Sequence, residues 1–134
     1  MKKLIVLFIL SITISSCSND DNTANTTVLE GDWLLVYQYG GDPPPGQEPP
    51  GDISNQNIKY HFKGNIQKIT KNDEILHSEI TFTLNKEGDD YLFIYKDTEF
   101  NEISNSRVTF TNDNTIASFK AMVIDAGYTL KKIQ

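Results

Sequence analysis

The chain has 134 residues, 38% of them hydrophobic and 22% charged, which is room for one domain with a modest core and too apolar for a wholly disordered chain. A formal charge of -6 argues against nucleic acid or an anionic lipid face as a partner, since both need a basic patch. The single cysteine, Cys17, excludes an intrachain disulfide and a cluster of thiolates around a metal.

Met1, Lys2 and Lys3 lead into an apolar run over 4–14, broken only by Ser11 and Thr13, which ends at Ser15, Ser16 and Cys17. A basic head, an apolar middle and small residues make a secretory signal over 1–16, and the run is too short for a bilayer span, which takes ~20 residues. Ile14-Ser15-Ser16-Cys17 resembles the bacterial lipobox. That resemblance implies cleavage before Cys17, a diacylglycerol on its sulfur and an acyl chain on the freed amine, so that the membrane is a partner through lipid; two or more chains make a stable anchor. Ser18 after the cysteine is similar to the signal for outer-membrane delivery. Ser18-Asn19-Asp20-Asp21 resembles the acidic tag that takes Bacteroidetes-type lipoproteins to the outer face of the outer membrane. Residues 17–27 read as the lipidated cysteine and a flexible polar tether, because Ala24 is the one apolar residue after Cys17.

The folded part, 28–134, opens on LEGDWLLVYQY over 29–39. In an extended strand Trp33, Leu35, Tyr37 and Tyr39 share one side and Leu34, Val36 and Gln38 the other, so the pattern predicts a strand covered on both faces. All five prolines follow within 40–52 and predict a stiff loop. Over 56–63, Ile58, Tyr60 and Phe62 alternate with Lys59, His61 and Lys63, a half-exposed antiparallel strand. Gly64-Asn65 is a turn, 66–71 a weaker strand, and Asn72-Asp73-Glu74 a polar break. Ile80, Phe82 and Leu84 alternate over 78–84, and the turn at 86–90 follows. The segment 91–96 is apolar on both sides and predicts a central strand. A polar loop over 97–105, with Phe100 its one large apolar residue, precedes strands over 107–111 and 115–119, joined through Asn112-Asp113-Asn114. A last strand spans 128–133.

Some eight short strands with frequent turns suit an all-β fold, a small antiparallel up-and-down barrel; a two-sheet sandwich would give almost the same pattern. Gly31-Asp32-Trp33 resembles the opening motif of the lipocalins, and the closing stretch from Gly127 to Ile133 is similar to the last strand of the lipocalin-like domains of Bacteroidetes lipoproteins. The resemblance implies that Trp33 closes one end of the barrel and that Lys131 or Lys132 packs over it, a cation on an aromatic face worth ~0.5–2 kcal/mol. The second lipocalin motif, Thr-Asp-Tyr on a later loop, is absent, so the label is lipocalin-like.

Nothing in the chain carries recognisable chemistry. His61 and His77 are too few for a metal site, His61 falls on the polar side of its strand, and neither a calcium loop, a phosphate loop nor a nucleophile elbow occurs. Cys17 is committed to lipid. The expectation is a non-enzymatic envelope protein without metal or cofactor, holding a small apolar ligand against Tyr37, Tyr60, Phe62, Phe82 and Phe93. A surface module for glycan or protein, and a structural accessory of an envelope complex, are the alternatives.

Overall fold

The computed structural model describes residues 26–40, 51–97 and 102–134, so the signal segment 1–16, the lipobox 14–17, the tag 18–21, the proline-rich stretch 41–50 and Phe100 lie outside the described residues. Eight strands follow in order: β1 (Gly31–Tyr39), β2 (Ile58–Lys63), β3 (Ile66–Lys71), β4 (Glu74–Glu87), β5 (Asp90–Asp97), β6 (Glu102–Thr111), β7 (Ile116–Ala121) and β8 (Gly127–Lys132). Each pairs antiparallel with the next and β8 returns to β1, which closes the barrel and rules out the sandwich. Short 3-10 turns at Thr26–Val28 and Ser54–Gln56 precede β1 and β2.

The turns form where the backbone must enter the left-handed region. Asn72 and Asp73 take φ of 52 and 66°, and Asn112, Asp113 and Asn114 take 51, 53 and 61°, which Asn and Asp accept at low cost. Alternation along the strands sends Phe62, Phe82, Leu84, Phe93, Val108, Ala117, Phe119 and Leu130 inward, all buried. Each large side chain so placed contributes about 1.5–3 kcal/mol against exposure.

Four expectations need correction. The wall has no second layer over it among the described residues, so Leu34 and Val36 of β1 and Leu92 and Ile94 of β5 stay half-exposed. Strand β4 starts at Glu74, ahead of the expected 78, because irregularities opposite β3 interrupt its alternation. Strand β6 starts at Glu102, where a loop to 105 was expected. Finally, β1 has a bulge: Leu35 faces Leu130 and Tyr37 faces Thr129, leaving Val36 as an extra residue. The bulge reverses the alternation, so Tyr37 lies 46% exposed on the outer wall and is not a lining residue of the interior.

With β1 running from one end of the barrel to the other, one end carries Thr26–Val28 and the β2–β3, β4–β5 and β6–β7 turns. The opposite end carries the β3–β4 turn and the β7–β8 loop. The two ends are built differently.

Candidate functional site

The first end is plugged. Leu29 and Trp33 are both 0% exposed, and the Trp33 indole N–H donates to the Leu29 carbonyl at 2.7 Å, fixing the ring across the end of the barrel. Lys132 Nζ stands 5.3 Å from the centre of the indole, while Lys131 is exposed on the outer wall, so Lys132 is the lysine that covers the tryptophan. Gly31 sits at φ +113°, a conformation side chains avoid, with the Lys132 stem beside it. Gly31, Trp33 and Lys132 therefore form one closure.

Above the plug the interior is filled by aromatic rings. Phe62 meets Phe82 edge-on at 5.5 Å, Phe82 stacks on Phe93 at 4.9 Å, and Phe93 meets Phe119 edge-on at 5.3 Å. The stack goes on through Tyr128, 4.6 Å from Phe119 and nearly parallel to it, to Tyr60 at 5.5 Å. Of the expected lining residues, Phe62, Phe82 and Phe93 are thus packed core, and Tyr60 alone faces open space.

That space is a cavity of about 460 Å³ at the end away from Trp33. Gln67, Ser106 and Phe119, 4%, 7% and 1% exposed, form its floor; Tyr60, Tyr95 and Tyr128 stand in its wall, and Tyr39, His77 and Ile124 lie at its mouth. None of the lining residues is Lys, Arg, Asp or Glu. The size is that of a pocket for one small molecule, as eight-stranded barrels can hold. Burial raises the Tyr60 phenol from 10.0 to about 12, with the Tyr95 phenol adding to the shift, and burial beside Tyr60 and Tyr95 raises Tyr128 as well. The phenols of Tyr60 and Tyr128 therefore stay protonated across the physiological range.

Gln67, Ser104, Ser106, Tyr95 and Tyr128 belong to this cavity without having been singled out beforehand. The available signal was positional: Gln67 lies opposite Phe62, and Ser104 and Ser106 opposite Tyr95 and Phe93, so all three occupy inward places of the alternation.

On the outer wall His61 is tied on both sides. Its Nδ1 is 2.8 Å from Asp32 Oδ1 and its Nε2 2.9 Å from Thr70 Oγ1. With neutral imidazole the carboxylate accepts from Nδ1–H and the Thr70 hydroxyl donates to Nε2. The order matches that of a nucleophile, base and carboxylate, yet Thr70 is 6% exposed, too enclosed for an acyl group to reach it. It is a cross-strand tie over β1, β2 and β3. A concavity beside it is lined by charges of both signs, Glu30, Lys63, Lys68 and Glu79. Among the described residues no three metal-ligating side chains gather.

Comparison of the chain with protein-family models, with curated proteins and with solved structures returns no match, which leaves the cavity's own residues to say what it accepts.

Proposed function

We propose that the chain is a lipid-anchored, non-enzymatic lipocalin-like protein of the bacterial envelope, held at the outer membrane through acyl chains on Cys17, and that it carries a small ligand in the open half of its barrel. The observation that supports this best is the asymmetry of the barrel: one end stopped by Trp33 and Lys132, the other opening on about 460 Å³ of space lined by no Lys, Arg, Asp or Glu. A chain serving only as a structural accessory has no need of that volume, since an eight-stranded barrel is readily filled by its own side chains.

The ligand reading is tested on protein purified from envelopes. Extraction into organic solvent followed by mass spectrometry is expected to release a small molecule in a constant ratio to protein, and the stripped protein is expected to bind a neutral dye such as Nile red saturably. Protein that yields nothing and binds no dye is not a carrier. Mass analysis of the N-terminal peptide tests the anchor, where an unmodified thiol on Cys17 would count against it. Proteolysis of intact cells tests the outward face.

A further inference from the structure

The floor of the cavity holds a side chain that packing alone does not explain. Gln67 is 4% exposed, and its Oε1 is buried with no hydrogen-bond partner among the described residues. A buried amide oxygen left unmatched costs about 1–3 kcal/mol, and a Leu or Met in its place would join the apolar layer formed by Phe62, Phe82 and Phe93 at no such cost. Gln67 lines a cavity whose other deep polar residue is Ser106, with Ser104, Tyr60, Tyr95 and Tyr128 also in its lining. The wall that rises from this floor is aromatic, with Phe119, Tyr128 and Tyr60 stacked on one another at interplanar angles of 10 and 24°. No Lys or Arg lines the cavity and its one imidazole, His77, lies at the mouth, so a fatty-acid carboxylate would reach the floor without a counter-charge.

Resting on the carrier reading above, we infer that the ligand is a compact, uncharged, planar molecule with an N–H or O–H group, bound with its ring edge-on or face-on to the Tyr60–Tyr128–Phe119 wall and its donor on Gln67 Oε1. This differs from an acyl-chain carrier in two ways. The donor supplies the hydrogen bond that Gln67 Oε1 lacks among the described residues, and neutrality follows from a lining without Lys, Arg, Asp or Glu. A site built to meet one donor discriminates against the analogue that has lost it, because the acceptor is then left buried and unmatched.

Indole and N-methylindole differ by that donor and the methyl group that replaces it, and calorimetric titration of the stripped protein compares them directly. Indole is expected to bind about tenfold more tightly than N-methylindole, and both more tightly than dodecanoate. In Gln67→Met, which keeps the volume and removes the acceptor, the two indoles are expected to bind alike. Equal binding of the two indoles to the unaltered protein overturns the inference and leaves the carrier reading standing, as does a preference that survives Gln67→Met or tighter binding of dodecanoate. If the indoles, dodecanoate and Nile red all fail to bind, the carrier reading falls and this inference with it. The comparison on the unaltered protein stands whether or not the variant folds.

Discussion

At the scale of single residues, the closed end depends on Trp33. Its indole fills the end of the barrel and satisfies the Leu29 carbonyl, itself part of a residue that is 0% exposed. Trp33→Phe keeps an aromatic ring but leaves that carbonyl unmatched and a gap where the second ring was, which is expected to cost about 2–4 kcal/mol, read as a lower urea midpoint. Lys132→Met keeps the stem over the indole and removes only the charge, so its expected cost is smaller, about 0.5–1 kcal/mol. A larger loss from Lys132→Met than from Trp33→Phe would reverse the assigned order. At the open end the corresponding residue is Tyr60. Its phenol ionises near 10.0 in the unfolded chain and at about 12 in the folded one, so between these values the unfolded chain has given up a proton that the folded chain keeps. The stability this represents is whole below pH 10 and is lost as pH rises toward 12. Urea midpoints measured from pH 8 upward should fall through that window, and the fall should be shallower in Tyr60→Phe.

At the scale of elements, β1 does more than pair with its neighbours. Pairing of β1 with β2 ends at Leu34, and beyond it the segment after the proline-rich stretch takes up the free edge through a bridge of Tyr37 with Asp52: the Ile53 amide donates to the Val36 carbonyl at 3.1 Å and the Gln38 amide to the Gly51 carbonyl at 3.1 Å. Ile53 then folds into the core, 6% exposed. Ile53→Ala is expected to cost about 2–4 kcal/mol and to speed amide exchange at residues 53 and 38 ahead of the rest of β1; uniform exchange along the strand would show that Ile53 packs without pinning the segment. The alternation of Ile58, Tyr60 and Phe62, or of Phe82 and Leu84, was legible because each inward place is apolar and each outward one polar, and that is enough to find eight strands and their turns. Tyr37 was misread because an extra residue shifts the parity and leaves no mark in composition. The start of β6 was missed for a different reason: Ser104 and Ser106 face inward without being apolar, since what they border is the cavity and not the core. The cavity was least visible where its lining was most polar, and Gln67 went unnoticed by the same rule.

At the scale of the whole molecule, the placing of the two ends decides how an anchored barrel would stand on a membrane. The chain enters at the plugged end and Thr26–Val28 is already folded there, so in the lipidated protein proposed above the leash that joins the bilayer to the Trp33 side is residues 18–25. Eight residues reach at most about 26–29 Å when fully extended. The barrel wall, with β1 nine residues long, rises about 20–25 Å once strand tilt is allowed for. Turning the mouth to the bilayer would stretch the leash along the full wall. It would also bring Glu74, at the start of β4, and Asp125, in the β7–β8 loop, against the lipid head groups, whereas Asp73 is paired with Lys59 at 2.9 Å. Opposing this is the apolar tip of the β7–β8 loop, where Met122, Val123 and Ile124 are 54%, 91% and 61% exposed. On vesicles containing an anionic lipid, where repulsion of the acidic connections adds to the pull of the leash, the mouth is expected to face water. A fluorophore on Val123→Cys should then be quenched less by nitroxide-bearing lipids than one on Asp89→Cys in the β4–β5 turn, Cys17 being blocked by its acyl chain in both proteins. The opposite order would mean that burial of the three apolar side chains outweighs the leash, and that a cargo reaches the cavity directly from the bilayer instead of from solution.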